Sequence, residues 1–188
     1  MVHLDAKSSA LVLIDLQKGI LSRSLAPRSG EEVLSAGKIL ADRFRQAGAP
    51  VVLVNVAFAK DFADAPPQNV DTPMAGSAAD FPPDWSDLVP GLAQDGDIRI
   101  TKRQWGAFTG TELDLQLRRR GIKTIVLGGV ATHVGVESTA RHAWELGYDL
   151  VIASDATTSM ATEPHDMSMK YILPRIARVR TSADIGLT

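Results

Sequence analysis

The chain has no cysteine in its 188 residues. That excludes disulfides, cysteine-ligated metal sites and a thiol nucleophile, and it fits a reducing compartment. No apolar run approaches the roughly 18 residues of a membrane-spanning helix. The opening MVHLDAKSS lacks both the basic region and the apolar stretch of a signal peptide, so the expectation is a soluble, cytoplasmic protein. Charge of one sign is missing too. Twenty basic and 22 acidic residues leave a net charge of −2, which gives no footprint for nucleic acid or an anionic membrane. The one basic run, at 118–120, falls at a helix end and complements the helix dipole there. No internal repeat or low-complexity segment is visible. What remains is an ordinary globular composition, 45% hydrophobic and 22% charged, and a length that fits one domain over residues 1–188.

Strand and helix patterns alternate along the chain. Residues 10–14 are continuously apolar and end at Asp15, as in a parallel strand buried on both faces. Residues 16–30 read as loop. Residues 31–47 read as a helix with Val33, Leu40, Phe44 and Ala47 on one face, Gly37 filling that face and Gly48 at the C-terminal cap. Residues 51–56 are a strand, and 97–101 are another that leads to Lys102. LDLQL at 113–117 alternates like a strand. Thr111 as a cap, Leu113 and Leu117 one turn apart, and Gly121 tip 111–120 to helix. A central strand at 122–127 is broken by Gly128 and Gly129. Thr132 then caps a helix that ends at Gly147, with Val136, Ala140, Ala143 and Trp144 on its apolar face and a Glu137–Arg141 pair. His142 and His165 are expected on helix surfaces. A strand at 150–153 ends at Ser154-Asp155, a helix at 163–173 is stopped by Pro174, and 176–180 is the last strand.

This alternation implies parallel strands with helices on both faces. In such sheets the ligand site lies beyond the C-terminal strand ends, where the strand order reverses. Asp15, Lys102 and the 130–135 turn all follow strand ends, so they share one rim. Residues 60–91 differ: six of the ten prolines lie there and no period survives. Phe62, Phe81 and Trp85 argue for a partly ordered flap that covers the site or contacts a second subunit.

Several residues carry candidate chemistry. Asp15 sits at the edge of a low-dielectric core and needs a partner; it is either a cap or a functional carboxylate. Lys102, alone, reads as solvated; with Asp15 on the same rim it reads as half of a buried pair. The 130–135 turn offers backbone N–H groups, which suit an oxyanion or carboxylate. Gly135 either lets a ligand approach or relieves crowding in the helix's first turn. Trp105 is a pocket wall or a packed ring, and His133 bonds substrate or caps its helix.

ALVLIDLQ, TKRQWGAFTGTELDLQLRRRG and TIVLGGVATHVGVESTARHAWELGYDLVIASDA resemble, in order and spacing, three blocks of the isochorismatase-like hydrolase family, which also contains nicotinamidases and N-carbamoyl amidases. The resemblance runs from about residue 9 to 180. RQWGAF, LQLRRRG and GVESTAR extend it to the YecD-type subgroup. It implies a three-layer α/β/α sandwich around a mostly parallel six-stranded sheet, and a homo-oligomer (dimer or tetramer). In the amidase branch an Asp–Lys–Cys triad does the chemistry. Asp15 and Lys102 match the first two members, and Gly135 falls at the cysteine position. The resemblance also implies a cis Val130–Ala131 peptide, pocket-lining positions for Gln17 and Phe108, and an oxyanion site of N–H groups near Ala131 and Gly135. Some nicotinamidases hold a metal through an aspartate and two histidines after the second strand; NVAFAKDFADAPP has no histidine, so neither metal nor cofactor is expected.

True isochorismatases carry glycine at the cysteine position, and His133-Val134-Gly135 resembles their motif. Ala131-Thr132 is closer to the amidase branch. The expected function is therefore hydrolysis of a small anionic metabolite by water, with Asp15 as acid or base and Lys102 as electrostatic support. The alternatives are a catalytically inactive member that binds a ligand or partner, and a true isochorismatase that hydrolyses a vinyl ether.

Overall fold

A computed structural model describes residues 1–73 and 81–188. Six strands form one sheet in the order β4-β3-β2-β5-β6-β7, every pair parallel. They are β2 (Ser9–Ile14), β3 (Val51–Val56), β4 (Ile98–Lys102), β5 (Thr124–Val130), β6 (Asp149–Thr158) and β7 (Arg178–Arg180). β1 (Val2–Leu4) and β8 (Ile185–Leu187) pair in a separate two-stranded sheet. That sheet is not legible in the sequence, because three-residue strands are too short to show a period.

All six residues of β2 are buried, as its unbroken apolar run requires. Alternate residues feed two cores. Leu11, Leu13 and Leu53 pack with Val33, Leu40 and Phe44 of α2 (Gly30–Gln46). Val12, Ile14 and Val54 pack with Leu113 and Leu117 of α3 (Leu113–Arg119) and Ala140 and Ala143 of α4 (Glu137–Glu145). Helices therefore cover both faces, giving the α/β architecture expected. A capping box starts α2: Ser29 Oγ accepts from Glu32 N at 3.2 Å, and Ser29 N donates to Glu32 Oε2 at 2.8 Å. Ala47 is exposed, and Ala41 takes its expected place on the buried face. Among the described residues no helix is long and apolar enough to cross a membrane.

The structure corrects several boundaries. A short helix, α1 (Lys18–Leu21), lies in the expected loop. Gly128 and Gly129 do not break β5 but continue it to Val130. β6 does not end at Ala153. It bulges, so that Leu127 pairs with Ile152 but Gly129 pairs with Thr157, and then runs on to Thr158. Polar Ser154-Asp155 looked like a strand end because it occupies this bulge, where Asp155 accepts from Ser182 N at 2.7 Å. Gly128 makes room for the bulge: a Cβ there would lie 2.9 Å from Ala156 O. Thr132 is no cap; it lies within a π-helical turn, Thr132–Val136, that precedes α4. Trp144 is solvent-exposed, and His165 in α5 (Thr162–Met167) is buried. Pro174 sits in a 3-10 turn that continues the last helical segment. The Glu137–Arg141 pair forms at 2.8 Å.

Strand order reverses between β2 and β5. There Gly129, at φ +119°, brings its backbone so near β2 that a Cβ would lie 2.0 Å from Ile14 O. Gly147 also has positive φ (+85°) but faces open space. Gly129→Ala is therefore expected to destabilise the fold by about 3 kcal/mol or more, from overlap added to backbone strain. Gly147→Ala should cost about 1 kcal/mol. Urea denaturation midpoints check the contrast; equal losses would remove the claim that β5 is pressed onto β2 by this glycine.

Candidate active site

β2 runs straight into Asp15, which turns out of the sheet at φ +53°, a left-handed conformation that aspartate tolerates better than most residues. Its N–H donates to Val54 O at 2.8 Å, and the side chain is almost fully buried. Lys102, the last residue of β4, reaches across the end of β3 and places Nζ 2.8 Å from Asp15 Oδ2. Lys102 is 2% exposed, and its ammonium also donates to Gln104 O at 3.0 Å. Two residues 87 positions apart in sequence thus form one desolvated ion pair on the rim.

Burial dominates the electrostatics of Asp15. Loss of water raises its pKa; the charge and hydrogen bond of Lys102 lower it by less, and the carboxyl is pushed up to about 6. Its Oδ1 is buried and has no hydrogen-bond partner among the described residues. A buried acceptor without a donor is costly in a finished core and points to a reacting or bound group.

The turn after β5 closes the other side. The Val130–Ala131 peptide is cis, as the resemblance implies. Ala131 O accepts from Val134 N at 3.1 Å and from Val136 N at 3.2 Å, the second bond being the π-helical one. Single π-helical turns within helices occur frequently at functional sites. Gly135 lies on this turn. A Cβ there would stand 3.5 Å from Asp15 Oδ2, 3.4 Å from Trp105 O and 3.0 Å from Ile14 Cγ2. Any side chain at 135 would therefore be aimed at the Asp15 carboxylate. Thr139, which the sequence reading did not single out, ties the pieces together: its hydroxyl donates to Gly135 O at 2.6 Å and accepts from Ala107 N at 3.1 Å.

His133 turns towards β6, with Nδ1 2.6 Å from Ser159 Oγ. Thr132 Oγ1 donates to Thr158 O at 3.0 Å; with its only proton committed there, it accepts from His165 Nδ1 at 2.7 Å. Burial holds both imidazoles below the ordinary histidine range, so each is neutral at pH 7. Ser159 and His165 carried no sequence signal for this role, because their partners lie 26 and 33 residues away.

The other expected pocket residues fall elsewhere. Gln17 is buried, but its amide is occupied: Oε1 accepts from Val56 N at 2.8 Å, and Nε2 donates to Val56 O and Trp85 O. Phe108 packs in the core against His142 and Tyr148, at ring distances of 5.3 and 6.0 Å, and does not line the site. Trp105 is 62% exposed, and the atom it brings nearest to Gly135 is its backbone carbonyl oxygen. Part of the proline-rich segment is strapped to the rim just after Asp15. Gly19 N donates to Trp85 O, Lys18 N to Asp87 O and Val89 N to Leu16 O, and the Lys18 ammonium pairs with Asp84 at 2.9 Å. Of the expected flap, residues 60–73 and 81–91 are described; its middle, 74–80, lies outside the described residues. Among the described residues no three His, Asp or Glu side chains converge on a possible metal position.

Comparison with known proteins bears on the family and the fold. The family model described as an isochorismatase domain matches residues 9–184. The isochorismatase family protein YecD of Escherichia coli O157:H7 is 52% identical over 98% of both chains. YwoC of Bacillus subtilis strain 168, from the same family, is 48% identical over 97% of this chain and 95% of its own. The solved structure of an isochorismatase family protein from Burkholderia thailandensis is 44% identical, covers 95% of this chain and 94% of its own, and superposes with a TM-score of 0.88. The family match spans all six strands of the central sheet: the chain belongs to the isochorismatase family.

Proposed function

We propose that the protein hydrolyses a small, anionic metabolite with water as the nucleophile. The observation that carries this reading is the buried Asp15–Lys102 pair, whose Asp15 Oδ1 lacks a partner and whose Oδ2 stands opposite the bare backbone of Gly135. In this reading Asp15 acts as the base. It takes a proton from water, the water oxygen attacks the electrophilic carbon of the substrate, and the proton passes to the leaving group. The Lys102 ammonium, with the N–H groups of Ala131 and Gly135, stabilises the negative charge that develops. His133 contributes a neutral imidazole at the β6 side of the turn. A pKa of about 6 suits the base role, because the carboxylate is mostly ionised at pH 7 yet more basic than a solvated aspartate.

Gly135 also favours a second reading. A chain without cysteine has no triad nucleophile, and a catalytically inactive member would bind a ligand or partner at the same rim. A third, narrower reading is vinyl ether hydrolysis, supported by the glycine in His133-Val134-Gly135. The family resemblance also favours a homo-oligomer, dimer or tetramer, with the proline-rich segment as the candidate contact; light scattering after size exclusion checks the assembly, and a clean monomer would remove it.

Asp15→Asn is expected to lower turnover at least a thousandfold on any substrate found, with circular dichroism unchanged. In the parent enzyme kcat/KM should fall tenfold per pH unit below about 6, as Asp15 takes up its proton, and stay level above it. Undiminished activity in Asp15→Asn would end the mechanism, and a limb falling above pH 6 would make Asp15 the acid. Gly135→Cys places a thiol beside Asp15. Amidase activity in that variant alone, with a parent inert on a broad panel that includes isochorismate, would establish the inactive-binder reading; turnover by the parent would exclude it.

A further inference from the structure

One feature near the rim has no part in the chemistry above. Phe58, Phe62, Phe81 and Trp85 stack in sequence, with centroids 5.2, 5.6 and 4.5 Å apart and planes tilted by 33°, 24° and 23°. All four rings remain partly exposed, and together with Lys60 and Ala57 they line a cavity of about 500 Å³. That volume lies within the range of small-molecule sites. The ladder is held rigidly at one end. Trp85 packs so closely on Gly19 that a Cβ there would lie 1.9 Å from the indole, and Trp85 O accepts from Gly19 N at 3.0 Å and Gln17 Nε2 at 3.2 Å. Phe62, the second ring of the ladder, has φ +56°, a left-handed conformation that is unfavourable for a bulky side chain. Strained residues of this kind cluster at ligand sites.

The cavity adjoins the strand end that carries Lys102, through Ala57 in its wall. β3 lies between β2 and β4, and its extension, Ala57 and Phe58, leaves the sheet between the strands that carry Asp15 and Lys102. Ala57 N donates to Lys102 O at 3.2 Å.

We infer that this cavity is a subsite for an aromatic carboxylate: a planar ring lies along the Phe58–Trp85 ladder, and its negative charge faces Lys60. Nearly parallel rings receive another ring by offset stacking, which a saturated chain cannot match. Lys60, among the polar groups of the cavity, supplies the complementary charge. The link to turnover rests on the hydrolase reading; binding does not.

Benzoate is the probe, with acetate as the anion lacking a ring. Trp85 reports binding by fluorescence in a Trp105→Phe/Trp144→Phe background, which leaves it the only tryptophan of three. Saturable benzoate binding is expected, with acetate at least tenfold weaker. Phe62→Gly removes the ring and relieves the backbone, so it should weaken benzoate at least tenfold while keeping or raising the melting temperature. Asp15→Asn should bind benzoate as the parent does. The inference is overturned by an absence of saturable benzoate binding, by acetate binding equally well, or by unchanged affinity in Phe62→Gly. An inactive parent that still binds benzoate would overturn the hydrolase reading alone; an active parent that does not bind it would overturn the ring subsite alone.

Discussion

The ion pair between Asp15 and Lys102 joins strands that are not neighbours. β3 stands between β2 and β4, so the two side chains meet only above the end of β3. That meeting requires Asp15 to leave the sheet in a left-handed turn, and it requires the ends of β2 and β5 to come together where strand order reverses. Gly129 meets the second requirement by omitting a side chain that would collide with Ile14. The strap at 81–91 is tied to the segment just after Asp15, with the buried Gln17 amide joining it to β3. Much of the backbone around the site can be read as the means of holding one carboxylate and one ammonium together out of water.

Such a pair is not a source of stability. Burial pushes the folded pKa of Asp15 up to about 6 from its ordinary 3.8, so folding disfavours its charged form. The sign follows from linkage: the unfolded chain ionises more readily, so stability is greatest below about pH 4 for this group and is lost as pH rises towards 6. The loss is on the order of 3 kcal/mol, since each pKa unit corresponds to about 1.4 kcal/mol. Hydrophobic packing on the two faces of β2 offsets it. A carboxylate kept at that cost is more basic and more reactive than one on the surface, which connects the burial of the pair to its proposed chemistry.

The sequence made the strands and the ionisable rim legible for one physical reason. A buried parallel strand is an unbroken apolar run, and a charged residue at its end stands out against it. Asp15 is legible that way; Lys102 ends β4, an edge strand that alternates as Ile98-Arg99-Ile100-Thr101, and stands out only as a companion of Asp15 on the rim. Gly135 is legible as a gap in the turn, and the resemblance implies that it stands at a cysteine position. Other parts were hidden because their cause is distant. Thr132 has the chemistry of a cap, but its hydroxyl is drawn inwards by Thr158 and His165, and the extra residue of the π-helical turn barely alters the spacing of the apolar positions behind it. The β6 bulge presents polar residues in mid-strand, which look like a terminus until Ser182 supplies their partner. Phe108 lies beside a motif yet faces the core, since one residue of sequence decides which side of a loop a ring takes. Gln17 matched a pocket position, but its amide is consumed by the backbone of Val56 and the strap.

Gly135 gains its meaning only in three dimensions. In sequence it is one small residue in a helix turn. In the fold it is the position from which a side chain would touch Asp15, and Thr139 fixes its carbonyl while holding the Ala107 loop opposite. The space in front of Asp15 is thus bounded by backbone: the 135 turn on one side and Trp105 O on another. Backbone walls do not rotate away as side chains do, so a small molecule or a water admitted there meets the carboxylate in a restricted set of directions. Reaction by a protein-bound thiol needs an atom at 135; reaction by water needs that atom to be missing and the surrounding walls to remain. Gly135 satisfies the second condition, with the carboxylate, the ammonium and the turn N–H groups all retained around it.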